Sequence, residues 1–176
     1  VSACEEQGIE VSDCSHQFDA NEALFRLTEY RKVIKAGSAA DVRLNAIREN
    51  VYQDCSSAGD SDDDLLTLTA PTGTGKTLAL MNLALRKCID NDSRKGKSRI
   101  IVVLPFLSLS DQTESIYRKI IPDLIVDNSQ VDLTEDQRLI AARWSADCVI
   151  TTSVQFFESL FSNRPGDCRK LHNIAN

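Results

Sequence analysis

The sequence predicts an α/β fold: a doubly wound parallel sheet preceded by a helical lead-in. From residue 65 onward, short apolar runs alternate with stretches of helical periodicity, as strands do when crossover helices link them. The run 100–104 is wholly apolar, which is typical of a strand buried on both faces of a parallel sheet. The apolar run 65–69 leads through a Gly-rich turn into a helix.

The part before residue 65 differs in pattern. Residues 1–20 show no clear period, and we expect them to be irregular. Apolar residues recur at helical spacing over 21–36 and over 40–55, which predicts two helices with a break at Gly37-Ser38. The stretch 56–64 is rich in Gly, Ser and Asp and reads as a loop. We therefore expect residues 1–64 to form a helical lead-in or linker, and residues 65–176 to belong to the α/β domain.

The α/β part is predicted element by element. The helix after the Gly-rich turn has Leu78, Leu80, Leu83 and Leu85 as its apolar positions, and a polar, basic loop follows it over 91–98. Another helix is opened by Thr134, with Gln137 at capping-box spacing. The predicted strands are 65–69, 100–104, 124–126 and 148–151, and the predicted helices are 76–90, 110–120, 134–144 and 154–161.

Composition limits the classes of function. The 176 residues carry a net charge of −6 and contain no apolar run long enough to cross a membrane. Residues 1–64 hold 14 acids and 6 bases, a net charge of −8, whereas the remainder holds 12 acids and 14 bases, a net charge of +2. This mildly basic second part permits nucleic-acid binding. The chain begins with neither Met nor a signal peptide, and we expect it to be an internal fragment of a longer protein.

The six cysteines are spread along the chain without a C-x-x-C pair. This predicts reduced thiols and a cytoplasmic protein. Cys4, Cys14 and His16 lack the spacing of a recognisable metal site.

The segment from Ala70 to Thr77 has the form of a phosphate-binding loop. Gly73 and Gly75 allow backbone angles that a Cβ would penalise, so that backbone N–H groups, including those of Thr72 and Thr74, can surround phosphate oxygens. The following helix directs its positive N-terminus at the same place. Lys76 adds a charge for the β- and γ-phosphates, and the Thr77 hydroxyl can ligate Mg²⁺. The sequence therefore predicts a nucleotide-binding site.

Two further strand ends carry polar side chains. Ser108, Ser110 and Gln112 follow the strand 100–104, and Thr152 and Ser153 follow the strand 148–151. Ligands of open α/β sheets lie at the carboxyl ends of strands, and such donors suit phosphate or sugar contacts. The alternative for both groups is helix capping by the hydroxyls.

A cluster of basic residues near the end of the first α/β helix also has two interpretations. It can be a solvated face that favours the helix dipole, or a nucleic-acid patch. Its members are Arg86, Lys87, Arg94, Lys95, Lys97 and Arg99.

The order of three segments, 70–77, 103–113 and 149–161, resembles motifs I, Ia and Ib of superfamily 2 helicases. The residues of these motifs look most like those of the CRISPR-associated helicase–nuclease of type I interference systems. They are TAPTGTGKT from Thr69, LPFLSL from Leu104 and TTSVQFFESLF from Thr151, with Trp144 between the last two. Ala70 stands where the general loop pattern has Gly, as in many helicase-type ATPases. The resemblance covers about residues 45–176.

The resemblance implies an incomplete RecA-like first motor domain of an ATP-driven translocase on single-stranded DNA. Such a protein feeds DNA to a nuclease in antiviral defence and works with a CRISPR surveillance complex. By the same resemblance, Lys76 and Thr77 hold ATP and Mg²⁺. Gln53 lies in a region where a glutamine of helicases can read adenine, and the alternative is an ordinary residue of the helix surface. Ser108, Gln112 and Thr152 would contact the DNA backbone.

Several parts of the family pattern are not found in this sequence. Neither histidine is followed by Asp, so no nuclease site is evident, and the Asp-Glu motif and the arginine finger are missing. Asp127 resembles the acidic residue that holds Mg²⁺ in such ATPases, but it is followed by Asn128, where a hydrolytic motor would have Glu. The segment also comes too early in the strand order. Because hydrolysis needs an activated water and a charge clamp on the γ-phosphate, we expect this polypeptide to bind nucleotide weakly without hydrolysing ATP or unwinding DNA.

Three alternatives stay open at this point. One is another superfamily 2 motor, such as a restriction-enzyme translocase subunit. Another is a P-loop module that serves only to bind a partner and does not hydrolyse nucleotide. The weakest is a small-molecule kinase, which would need a lid with arginines.

Overall fold

A computed structural model describes residues 18–37, 42–94, 99–105, 108–127, 144–161 and Lys170. The expectations for residues 1–17, for Cys4, Cys14 and His16, and for the helix predicted from Thr134 lie outside these residues, apart from Trp144. The helices are α1 (Ala20–Gly37), α2 (Val42–Gly59), α3 (Lys76–Arg94), α4 (Ser108–Tyr117) and α5 (Ser153–Phe161), and the strands are β1 (Ile100–Leu104), β2 (Ile125–Asp127) and β3 (Cys148–Thr152).

The strands form one parallel sheet in the order β1-β3-β2. The chain moves two positions across the sheet and then back one, and this reversal is the mark of a doubly wound topology. The α/β class with a parallel sheet is thus confirmed, and the architecture is that of an incomplete RecA-like domain. Register pairs Leu104 with Thr152 and Asp127 with Thr151, so the carboxyl ends of all three strands meet at one edge.

The prediction that the strand 100–104 is buried on both faces is wrong. Only Ile100 is fully buried there, and Val103 is 38% exposed. The buried strand is β3, where Cys148, Val149 and Ile150 are all inaccessible to solvent. Among the described strands, β3 is the central one, with β1 on one side and β2 on the other.

The strand predicted over 65–69 is also not formed among the described residues. Leu65 is 86% exposed, while Leu68 packs against the hydrophobic core. The apolar side chains indicate which side of the segment faces the core, but a strand also needs a hydrogen-bonded neighbour. No described segment pairs with these residues.

The lead-in helices pack on α3. The prediction of a loop over 56–64 is wrong for its first four residues, because α2 continues to Gly59. Ser56 is buried, and its hydroxyl oxygen accepts a hydrogen bond from Asn82 Nδ2 at 2.9 Å. A Cβ on Gly59 would lie 2.8 Å from the Cβ of Arg86, so the two helices touch backbone to side chain at this point.

The core is continuous between the lead-in and the sheet. Ala23 and Leu27 of α1 belong to the same buried cluster as Leu85 of α3 and Ile150 of β3. The apolar stripe predicted for α3 is right at Leu85 but wrong at Leu80, which is 44% exposed. Helix α3 meets both the lead-in helices and the sheet, and it therefore also buries a second set of residues: Ala79, Met81, Asn82 and Cys88. It also runs to Arg94, past the predicted end at residue 90.

Candidate nucleotide site

The segment 70–77 forms a closed turn at the head of α3. Gly73 and Gly75 have φ values of 82° and 81°, in the left-handed region that favours glycine. No atom lies within 4 Å of a Cβ built on Gly73, so the backbone angle alone requires glycine at this position. The predicted reason for both glycines agrees with their observed conformation.

Two side chains tie the loop to itself. The buried Thr74 hydroxyl donates a hydrogen bond to the Pro71 carbonyl at 2.8 Å. The ammonium of Lys76 donates to the Ala70 carbonyl at 2.6 Å, and so it spans the loop from its end to its beginning. These bonds hold the Lys76 charge against the first residue of the loop.

The loop passes directly into the first turn of α3. Ala79 N–H donates to the Gly75 carbonyl at 3.1 Å, so regular helical bonding starts immediately after the loop. The N–H groups that precede this bond have no helical acceptor and can bind anionic oxygens. Thr77 lies half-buried in this first turn, and Thr72 is exposed at the outer end of the loop.

The arrangement fits a nucleoside triphosphate with Mg²⁺. Two left-handed glycines, a helix N-terminus and a lysine converge on one turn, which is the donor set that a phosphate chain needs. The Thr77 hydroxyl is the oxygen that would ligate Mg²⁺. When bound, this ion would neutralise charge on the β- and γ-phosphates.

Helix α4 supports the Thr77 turn from the sheet side. The Tyr117 hydroxyl donates to the Thr77 carbonyl at 2.9 Å, and its ring is buried. This burial raises the pKa of Tyr117 well above its usual value, so the hydroxyl keeps its proton and remains a donor. The helix that carries Gln112 is therefore joined to the phosphate loop by one hydrogen bond.

Arg48 is a member of the site that sequence reasoning missed. Its Nε donates to the Gly73 carbonyl at 3.1 Å. It lies 25 residues before Gly73, and the contact exists only because α2 packs on α3. No local signal in the sequence marks Arg48, since it lies in an ordinary helical pattern.

Gln53 is placed elsewhere on the same helix. Five residues separate it from Arg48, which is about 140° around an α-helix. Its side chain is exposed, and its Nε2 donates to Glu49 Oε1 at 3.0 Å. The structure thus brings Arg48 to the loop, whereas the Gln53 side chain bonds to Glu49 on the same helix.

The Glu49 carboxylate is the centre of a polar cluster with Arg31, Lys35 and Gln53. Lys35 Nζ lies 2.9 Å from it and an Arg31 guanidinium nitrogen 3.2 Å. The hydrogen bond from Lys35 lowers the pKa of Glu49 to about 2, with smaller contributions from Gln53 and from the Arg31 charge. Glu49 ties α1 to α2 and is fully ionised at neutral pH.

The predicted nucleic-acid contacts lie at the carboxyl edge of the sheet. Leu104 and Thr152 are paired in register, so α4 and α5 both start from this edge. Gln112 is exposed on α4. The side chain of Ser108 is outside the described part of the structure.

Thr152 has the capping role that was its alternative interpretation. Its hydroxyl oxygen accepts a hydrogen bond from the Gln155 N–H at 3.3 Å, at the start of α5. This bond uses one acceptor position of the hydroxyl, and the hydroxyl proton stays available for another partner.

Asp127 has structural partners. Its Oδ2 accepts hydrogen bonds from Trp144 Nε1 at 2.5 Å and from Lys170 Nζ at 2.7 Å. Its backbone carbonyl accepts from the Thr151 hydroxyl at 3.0 Å. Trp144 is fully buried at a φ of 50° and stacks on Phe156 at 6.0 Å between ring centroids.

Three members of the basic cluster have structural partners. Arg86 Nη1 is 3.1 Å from both carboxylate oxygens of Asp60. Lys87 donates to the carbonyls of Ser61 and Asp63, and Arg99 Nε donates to the Ala146 carbonyl at 3.0 Å. Burial lowers the pKa of Arg99. The side chains of Arg94, Lys95 and Lys97 are outside the described residues.

Within the described ranges, no group of three or more His, Cys, Asp or Glu side chains could hold a metal ion. No helix in those ranges is long and apolar enough to cross a bilayer. Cys55 and Cys148 are buried free thiols, and Cys88 is buried as well.

A phosphate loop at the head of a helix, beside a parallel sheet, defines a nucleotide-binding P-loop domain. The model of the DEAD/DEAH box helicase family matches residues 45–175, and the chain belongs to this family. Members of this family bind ATP and act on nucleic acid. The matched range starts within α2 and therefore includes Arg48.

A relative with a more specific description is "CRISPR-associated nuclease/helicase Cas3" of Haloferax volcanii. The two sequences are 30% identical over 130 residues, an alignment that covers 58% of this chain. The chain spans only 14% of the length of that relative.

Proposed function

We propose that this chain is the ATP-binding part of the first motor domain of a DNA helicase or translocase that acts on single-stranded DNA in CRISPR antiviral defence. The observation that carries the proposal is the loop 70–77, with its two left-handed glycines and the Lys76 ammonium bonded to the Ala70 carbonyl. The similarity to the Haloferax volcanii protein supports the CRISPR assignment, and so does the wording of the three motifs.

In this proposal one surface of the domain binds the nucleotide and another binds DNA. Residues 72–77 bind the triphosphate and Mg²⁺ at the N-terminus of α3, and Gln53 of α2 contacts the adenine. Ser108, Gln112 and Thr152 contact the backbone of single-stranded DNA at the carboxyl edge of the sheet. Residues 1–64 are the lead-in to a motor domain that starts at residue 65, the surveillance complex is the partner, and the cytoplasm is the location.

Nucleotide binding is tested first. Isothermal titration of the chain with MgATP should give measurable binding, and Lys76→Ala should weaken it by about tenfold or more because a charge-assisted contact is lost. Lys32→Ala is the matched control, since Lys32 pairs with Glu29 on the exposed side of α1. Partner binding that ignores both nucleotide and Lys76→Ala would favour the non-hydrolysing binding module.

DNA binding needs a separate experiment. Fluorescence anisotropy with a labelled single-stranded oligonucleotide should show binding that weakens as salt rises, because phosphate contacts release counterions. Gln112→Ala should reduce the affinity, whereas Thr28→Ala on α1 should leave it unchanged. Equal affinities for both variants would remove Gln112 from the proposed DNA surface.

The CRISPR assignment is tested on the parent gene. A histidine–aspartate nuclease sequence upstream of this segment would support it. A gene without that sequence would leave another superfamily 2 translocase as the better description. Steady ATP turnover by this chain alone, stimulated by DNA, would contradict the expectation that it binds without hydrolysing.

A further inference from the structure

Arg48 lies across the phosphate loop from the lead-in side. Its Nε is 3.1 Å from the Gly73 carbonyl oxygen, and its Cγ is 3.9 Å from the position of a Cβ on Gly75. The side chain therefore bonds to one of the two left-handed glycines and lies near the other. Arg48 as a whole is half-buried.

The charge environment of Arg48 differs from that of other arginines in the structure. Arg26, Arg31, Arg86 and Arg118 each form an ion pair with a carboxylate. Within the described residues, Arg48 meets only uncharged oxygens, the Gly73 carbonyl and, at 3.5 Å, the amide oxygen of Asn45. The neighbouring Glu49 carboxylate is bound instead by Arg31, Lys35 and Gln53. The guanidinium thus has no counter-ion in the described structure.

A guanidinium carries five N–H donors on a planar fork that matches phosphate geometry. One donor is used on Gly73, and a second makes the long contact to Asn45. A cation without a carboxylate partner, held against a loop whose N–H groups bind anions, is suited to a phosphate chain. A mere brace for the loop would need a hydrogen-bond donor but no charge.

We propose that Arg48 is a second cationic group of the phosphate site, supplied by α2 while Lys76 is supplied by α3. This inference rests on the proposed nucleotide binding of the loop. It makes the helix before residue 65 a part of the nucleotide site, since α2 brings the charge. The ligand class is a nucleoside di- or triphosphate, and the effect should grow with the number of phosphates.

The test compares ATP, ADP and adenosine, each with Mg²⁺, by isothermal titration of the whole chain. Arg48→Gln keeps an N–H donor for Gly73 and removes the charge, whereas Arg48→Lys keeps the charge. Arg48→Gln should weaken ATP about tenfold, ADP by a smaller factor and adenosine not at all. Arg48→Lys should retain most of the ATP affinity. Arg26→Gln on α1 is the matched control and should match wild type with all three ligands.

Two results would overturn the inference. If Arg48→Gln binds ATP as wild type does, Arg48 is only a brace. If adenosine and ATP lose affinity by the same factor, the effect is not on the phosphates. The ratio of ATP to adenosine affinity is internal to each variant, so partial unfolding of a variant scales both values and leaves the ratio intact. A wild-type chain that binds no ATP would instead refute the proposed function itself, and Arg48 with it.

Discussion

The cluster of Asp127, Trp144 and Lys170 should contribute strongly to the stability of the sheet. The Lys170 ammonium is 2.7 Å from Asp127 Oδ2 and 4.9 Å from the centre of the Trp144 ring. The side chain of Lys170 is 7% exposed and that of Asp127 16%. Removing one partner of a buried ion pair costs about 3–5 kcal/mol, because the other charge is left without compensation.

Lys170→Met is the perturbation that tests this cluster. Asp127 keeps its hydrogen bond from Trp144 and retains some contact with water, so we expect the lower end of the range, about 3 kcal/mol. For a chain of this size that corresponds to a fall in Tm of about 6–12 °C. The double variant Asp127→Asn with Lys170→Met should recover part of the loss, since no buried charge then remains.

The assay is urea unfolding followed by the emission of Trp144, the single tryptophan of the chain. This residue reports directly on the cluster because it is fully buried within it. Lys32→Met removes an exposed ion pair and should change the free energy of unfolding by less than about 1 kcal/mol. A Lys170→Met variant within about 0.5 kcal/mol of wild type would refute the reasoning, as would a double variant that is less stable than both single ones.

Three further predictions follow from other parts of the structure. Gly73→Ala should cost about 1–2 kcal/mol in urea unfolding, because its φ of 82° is strained for alanine although the site has open space; an unchanged stability would show that the loop does not hold this angle. Glu49→Gln should lower stability at neutral pH, and the difference from wild type should shrink as pH falls from the ordinary pKa of 4.5 toward the folded value of about 2. The depressed pKa requires that sign, so a difference that grew toward pH 2 in thermal melts would contradict it. The Cys148 thiol, whose pKa burial raises to about 12, should resist alkylation at pH 8 in the folded chain and react in urea; mass spectrometry that finds it labelled as fast as an unfolded thiol would contradict its burial.

Local chemistry explains which predictions agree with the structure. The φ requirement at Gly73 and Gly75 and the start of a helix at Lys76 depend on neighbouring residues, and a sequence displays those neighbours. The strands 100–104 and 148–152 and the helix after Thr152 were predicted to within a residue for the same reason. The family of the chain could also be inferred from these local motifs and their order.

The predictions that failed each depended on a partner distant in sequence. Leu65–Thr69 consists of residue types that are common in strands, but no described segment pairs with it in a sheet. Ser56 and Gly59 are residue types that are common in loops. Both are nevertheless buried where α2 packs on α3, and α2 continues through them. Leu80 fits an apolar stripe, yet the direction from which α1 and α2 approach α3 leaves it exposed.

By itself the sequence determined the α/β class, the phosphate loop with its two glycines and the membership of a helicase family, because these depend on residues close together in the chain. Only the tertiary structure decided that β3 is the most buried strand, that Asp127 pairs with Lys170, and that Arg48 lies against the loop. Those outcomes depend on which surfaces pack together. Packing brings Arg48 to a residue 25 positions away, while Gln53, about 140° around the same helix, bonds to Glu49.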